Sequence, residues 1–222
     1  MSYNIAVDGP AGAGKSTIAR RVAKKLGFVY VDTGAMFRAI GLYFIRQGVS
    51  PDNQDIISRD CGQADVSIEY VDGEQQVLLN GENVNGLIRT EEAGRMASGV
   101  AKNPEVRKTL AELQKKLAQK TDVIMDGRDI GTSVLPGADL KIYLTASSSE
   151  RAKRRYLELV ERGESADILQ IEKDIIARDE QDMNREISPL KKADDAVEVD
   201  CSNMSIEEVT DRIIELFEQV KG

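Results

Sequence analysis

Histidine is absent from all 222 residues. Without an imidazole the chain cannot build a serine–histidine or cysteine–histidine catalytic pair, or a histidine-ligated metal site. Any catalysis must therefore rest on carboxylates, lysine, arginine and bound metal. Cysteine is nearly absent: Cys61 and Cys201 lie far apart and share no metal-type spacing, which predicts two reduced, buried thiols and no disulfide framework. No stretch approaches the roughly 20 consecutive apolar residues of a membrane span, and the chain opens on a strand-like segment without a signal peptide's basic and apolar regions. A cytoplasmic protein that engages no membrane is expected. Excess positive charge is missing too. The net charge of −8 is a poor match for a broad basic surface gripping a nucleic-acid polymer, so a polyanionic ligand must be met by a local cluster, first of all arginines, whose fork suits phosphate. Internal repeats, low-complexity tracts and long linkers are not seen. With 41% hydrophobic residues the chain is expected to form one α/β domain; a monomer is the expected state.

What is present starts at residue 9. Gly9-Pro10-Ala11-Gly12-Ala13-Gly14-Lys15-Ser16, followed by Thr17, matches the G-x-x-x-x-G-K-[ST] phosphate loop without interruption. Glycines let such a loop curl until several backbone N–H groups face one anion, and the following helix aims its positive end at the same point. Lys15 is then placed to reach the β- and γ-phosphates of a nucleoside triphosphate, and the Ser16 hydroxyl to hold Mg²⁺. A glycine-rich turn without a ligand is the other reading, but the flanks favour the loop: Ile5-Ala6-Val7 precedes it as a β-type run, and Ile18, Val22 and Leu26 follow at helical spacing.

Strand and helix then alternate. Strands are predicted at Phe28 to Val31, Val123 to Met125, Leu140 to Leu144 and Val197 to Val199, with helices at about 34–47 and 148–162. This predicts a parallel sheet with helices on both faces. Between about 65 and 85, short strands are separated by Asp72-Gly73 and Asn80-Gly81, which predicts an inserted antiparallel meander. Asn103-Pro104 reads as a helix start with Val106, Leu110, Leu113 and Leu117 as a packing stripe. Ser205 to Glu208 reads as a capping box for a last helix docked through Val209, Ile213, Leu216 and Val220.

A phosphate loop does not separate a kinase from a GTPase switch or a motor. No asparagine is followed by lysine, so a guanine-reading Asn-Lys-x-Asp motif is lacking. Three groups remain. Asp32-Thr33-Gly34-Ala35-Met36-Phe37-Arg38 lies at the carboxyl end of the second strand, where open α/β sheets bind ligands; either Thr33 and Arg38 hold a second phosphate, or Asp32 or Thr33 simply caps the next helix. Asp126-Gly127-Arg128-Asp129-Ile130-Gly131 follows a strand, so Asp126 can orient Mg²⁺ through its waters while Arg128 and Asp129 face a substrate, or the segment is a turn with an internal ion pair. Arg178, Asp182 and Arg185, at i, i+4 and i+7, share a helical face and form either a solvated ion-pair row or a binding edge. The same two readings apply to Arg151, Arg154 and Arg155.

Taken in this order, together with Arg178-Asp179-Glu180-Gln181-Asp182-Met183-Asn184-Arg185, the motifs resemble those of the bacterial cytidylate kinases, within the nucleoside monophosphate kinases, nearly end to end. The resemblance implies a P-loop three-layer fold with a five-stranded parallel sheet, a monophosphate-binding insert at about 35–105 carrying a small antiparallel sheet, and a helical lid at about 148–163. It implies phosphoryl transfer from ATP to CMP and dCMP, with Mg²⁺. Gly9 to Thr17 would bind ATP, and Ser16 and Asp126 the metal. Thr33, Arg38, Arg128 and Arg185 would hold the acceptor phosphate, Arg178 and Asp182 the ribose, and Ser98, Arg107 and Asp129 the cytosine edge. Lys15, Arg128, Arg185, Arg151 and Arg155 would stabilise the transferring group. The family often has serine where this chain has Thr33, which preserves the hydroxyl. A kinase for another monophosphate such as UMP or for a small metabolite, and a nucleotide-gated binding protein without turnover, are the alternatives.

Overall fold

The computed structural model describes residues 2–222. A five-stranded parallel sheet has the order β2-β6-β1-β7-β8, where β1 is Asn4–Asp8, β2 Val29–Asp32, β6 Val123–Asp126, β7 Leu140–Thr145 and β8 Val197–Asp200. A three-stranded antiparallel sheet consists of β3 (Val66–Val71), β4 (Glu74–Leu79) and β5 (Glu82–Asn83). The chain divides into two compact units, one of residues 3–28 and 124–222, the other of Ser2 with residues 29–123.

In the first unit, β1 runs parallel to β7, and β7 to β8, with Val7 opposite Ile142 and Leu144 opposite Val199. Both faces are covered, so β1 reads as the continuous apolar run Ile5-Ala6-Val7, each residue fully buried. α1 (Lys15–Leu26) buries Ile18, Ala19, Val22 and Ala23. α8 (Ile206–Lys221) starts at the predicted Ser205–Glu208 capping box and packs Phe217 edge-on against Tyr3 and Phe28. α6 (Ser148–Glu161) and α7 (Ile168–Asn184) pack on one another. α7 begins ten residues before the Arg178 row; the Asp167 side chain caps its Leu169 N–H at 2.9 Å.

In the second unit, α2 (Thr33–Arg46) and α4 (Glu91–Val100) form the main helix pair. They approach closely because Gly41 faces the Ala97 backbone, where a Cβ would sit 3.2 Å from its nitrogen. Around them lie α3 (Gln54–Asp60) and α5 (Pro104–Lys120), the latter capped by Asn103 with proline in its first turn as expected. Phe44, Met36, Ile40, Ile57, Leu79, Ile88 and Leu110 fill this core. The meander is where the sequence places it: Asp72-Gly73 and Asn80-Gly81 all have positive φ, the signature of two-residue hairpin turns that match strand twist. Helices α3 and α4, opened by Asn53 and Thr90 caps, were not anticipated.

Candidate active site

The phosphate loop joins β1 to α1. Gly9 has φ +147° and Gly14 φ +88°, and a Cβ on Gly9 would collide with the Leu144 carbonyl of β7. Only glycine lets the loop leave the sheet there. Lys15 is buried, and its Nζ donates to the Pro10 carbonyl at 2.7 Å. Burial, then the neighbouring Arg128 charge, holds this ammonium well below the usual lysine range, opposed by the carboxylates of Asp126, Asp8 and Asp182. The Ser16 hydroxyl donates to Asp126 Oδ2 at 2.7 Å, so the two residues expected at a metal adjoin one another. Both offer hard oxygen donors, which suits Mg²⁺.

Beside this lies a network that draws on β6, the turn after it, and α7. Arg128 Nε donates to Asp182 Oδ2 at 3.0 Å. Arg185, just past the end of α7, has NH1 3.8 Å from Asp182 Oδ1 and NH2 3.6 Å from Asp129 Oδ1. Asp182, Asp129 and the Arg185 side chain are all buried. Asp182 and Arg185 therefore belong to a cluster with buried Asp129 and half-buried Arg128, and the reading of a solvated ion-pair row fails for them. Arg178 lies one turn earlier on α7, half-buried.

Of the α6 arginines, Arg151 is the deepest. Its guanidinium donates to the Ala146 carbonyl and to Ala11 O in the phosphate loop, each at 3.0 Å, and pairs with Asp179 Oδ2 at 2.6 Å. It thereby ties α6 and α7 to the loop. Arg154 donates to Cys201 O at 2.8 Å, while Arg155 pairs with Glu158 on the exposed side. Cys201 is a buried free thiol donating to Ala13 O at 3.3 Å, and Cys61 is likewise free and buried, as expected.

Asp8 was not singled out from sequence. Its carboxylate ends β1 and accepts from Ile130 N at 2.8 Å and Gly131 N at 2.7 Å, fixing the π-type turn Ile130–Val134 that follows Asp129. Burial pushes its pKa up to about 6 although both hydrogen bonds pull it down. The available signal was a lone carboxylate closing an apolar strand.

In the second unit, Asp32 proves to be the α2 cap, accepting from Ala35 N at 2.9 Å, and Thr33, 3% exposed, is the first helical residue. Arg38 lies over that first turn, its NH1 3.4 Å from where a Gly34 Cβ would be. Arg107, on α5, is buried, donates to Ala101 O at 3.1 Å and stacks 5.5 Å above Phe37. Ser98, on α4, donates to Gly94 O at 3.3 Å. Arg89 and Gln75, both missed from sequence, contact Asp32: Arg89 NH2 at 3.0 Å from Oδ2, and Gln75 on the Asp32 backbone.

Comparison with known proteins decides what this arrangement belongs to. A family model described as cytidylate kinase matches residues 5–219. The chain belongs to the cytidylate kinase family. Relatives named cytidylate kinase include one from Caldicellulosiruptor bescii, 50% identical over 98% of this chain and 96% of the relative. Another, from Geobacillus sp., is 46% identical over 100% and 99%. A solved structure of an uncharacterized protein from Eubacterium ventriosum matches with a TM-score of 0.55 at 12% identity, covering 99% of both chains; that likeness speaks to the fold alone. No described helix is long and apolar enough to cross a membrane.

Proposed function

We infer that this chain transfers the γ-phosphoryl group of ATP to CMP, giving ADP and CDP, and that dCMP serves as a second acceptor. The observation that carries this reading is the convergence, in a chain of this family, of Lys15, Ser16 and Asp126 with the Arg128–Asp182–Arg185–Asp129 cluster, in which Arg128 lies two residues past Asp126. A triphosphate and a monophosphate repel one another, and fixed cations beside the loop offset that repulsion.

In this account the backbone of residues 9–17 cradles the β- and γ-phosphates, and Lys15 exchanges the Pro10 carbonyl for phosphate oxygen. Ser16 and Asp126 would hold Mg²⁺, which when bound spreads charge from the phosphate oxygens. Thr33, Arg38, Arg128 and Arg185 hold the acceptor phosphate in line. One of its oxygens attacks the γ-phosphorus as the bond from that phosphorus to the β–γ bridging oxygen breaks, and ADP leaves with that oxygen. Such a loose transition state needs alignment more than a strong base, so a chain without histidine can carry it.

Arg178 and Asp182 are assigned to the ribose, and Ser98, Arg107 and Asp129 to cytosine. Asp129 would accept from the exocyclic amino group that uracil lacks, and Arg107 would donate to the ring or carbonyl. We assign α6 to a lid that keeps water from the γ-phosphoryl group, with Arg151 beside the loop and Arg155 exchanging its Glu158 pair for the phosphates on closure. The test is ADP formation from Mg-ATP with CMP, dCMP, UMP, AMP, GMP and dTMP in parallel. Turnover on CMP and dCMP well above the rest is expected; another preferred acceptor overturns the base assignment, and acceptor-independent ADP release overturns the reaction.

A further inference from the structure

The inserted hairpin holds the corner at which α2 begins. β2 stands at the end of the strand order. Backbone groups of residues two apart on a strand point the same way, and on β2 those of Tyr30 and Asp32 meet side chains of the insert. Tyr70 O–H donates to Tyr30 O at 3.0 Å. Gln75 Oε1 accepts from Asp32 N at 2.7 Å, and Gln75 Nε2 donates to Asp32 O at 3.3 Å. Burial pushes the Tyr70 phenol up, so its O–H remains a donor.

The fit follows from register. The Asp72-Gly73 turn sets Tyr70 directly opposite Gln75. A directly opposed pair puts both side chains on one face about 5 Å apart, close to the rise of two strand residues, about 6.6 Å. Asn85 then fixes Gln75 itself, donating to Gln75 O at 2.8 Å and accepting from Val77 N at 2.9 Å. Asp32 is thereby held through its N–H and C=O by Gln75, through Oδ1 by the Ala35 amide and through Oδ2 by Arg89. Asp32 is the residue before Thr33.

We infer that Gln75 is a positioning residue for the acceptor nucleotide: its amide fixes the Asp32–Thr33 peptide and so aims the Thr33 hydroxyl at the acceptor phosphate. This rests on the reading of Thr33 as a phosphate contact. No substrate touches Gln75; it acts through the backbone.

The experiment compares the full-length protein with Gln75→Ala, Gln75→Glu, Thr33→Val and the Gln75→Ala/Thr33→Val double variant. Steady-state kinetics for CMP and ATP are measured alongside calorimetric CMP binding without ATP. The Gln75→Ala variant loses a bidentate amide contact, so its KM and Kd for CMP rise about three- to tenfold, while KM for ATP stays within about twofold. The Gln75→Glu variant keeps the acceptor for Asp32 N but turns a carboxylate oxygen, which cannot donate, toward Asp32 O, so it too loses CMP affinity. In the Thr33→Val background, Gln75→Ala adds less than twofold, because the hydroxyl it aims is already gone. Unchanged CMP affinity in Gln75→Ala, or an equal loss for CMP and ATP, overturns the proposal; so does full additivity with Thr33→Val. If Gln75→Ala fails to fold, the CMP affinity of the Gln75→Glu variant decides: wild-type affinity or an equal loss for CMP and ATP overturns the role, and a loss of about threefold or more confined to CMP supports it. If wild-type protein does not bind or turn over CMP, the functional reading itself fails, whatever the Gln75 variants do.

Discussion

Asp8→Asn isolates the energetics at the base of the site. The Asp8 carboxyl is 5% exposed and its pKa is raised from 3.8 to about 6. The folded state therefore binds this proton more tightly than the unfolded chain, so the group's contribution to stability is largest below pH 3.8 and declines as pH rises toward 6. At about 1.4 kcal/mol per pKa unit, the decline amounts to about 3 kcal/mol in all and about 2 kcal/mol between pH 4.5 and 7. An asparagine carries no such slope. Its oxygen can accept one of the Ile130 and Gly131 amides, and its own NH₂ faces the other, which costs about 1–3 kcal/mol for a buried unpaired donor. At pH 7 that cost is offset by relief of the buried charge, so the variant should lie within about 2 kcal/mol of wild type, falling about 2 kcal/mol further behind at pH 4.5. Carboxyls held below their usual range, such as those of Glu82, Asp195 and Glu208, slope the other way, but both proteins share them and the difference cancels them. Urea unfolding at pH 4.5, 5.5, 6.5 and 7.5, followed by far-ultraviolet circular dichroism because the chain has no tryptophan, gives the difference curve. Parallel stability curves for the two proteins would refute the reasoning.

Breaking the Arg151–Asp179 pair with Arg151→Ala leaves a carboxylate that is 10% exposed without its cation and should cost about 3–5 kcal/mol in urea unfolding; a loss under 1 kcal/mol would mean the pair is solvated. Gly9→Ala forces a Cβ into the Leu144 carbonyl at φ +147°, and equilibrium binding should show at least tenfold weaker affinity for Mg-ATP, with near-wild-type affinity counting against the loop geometry. Asp129→Ala should narrow the kcat/KM ratio of CMP over UMP by roughly tenfold or more, measured with the two acceptors side by side; unchanged selectivity removes Asp129 from base reading.

What the sequence reveals here is what is decided within a few residues. The phosphate loop, the Asn103 and Ser205 caps and the two Asx-Gly turns depend on neighbours one to three positions away, and each is found where the residues place it. α3 and α4 escaped because their apolar spacing is short and their caps, Asn53 and Thr90, sit within polar stretches that also suit loops. In the site, residue types were legible and partners were not. Arg151 reads as one more charged position on α6, and only the packing of α6 on α7 shows that Asp179 neutralises it. Asp32 and Thr33 left a cap and a phosphate contact equally open, until the Ala35 amide settled the cap on Asp32. Asp8 and Gln75 carry no motif of their own, because each acts on backbone amides or carbonyls more than 40 residues away in the chain.

The most direct test of the account follows the phosphoryl group itself. With ATP labelled in the γ-phosphate, magnesium and CMP, the label should appear in CDP, one equivalent for each ADP formed, and none should accumulate as inorganic phosphate beyond the acceptor-free rate. Label released as inorganic phosphate, or retained in ATP while CMP is present, would contradict it.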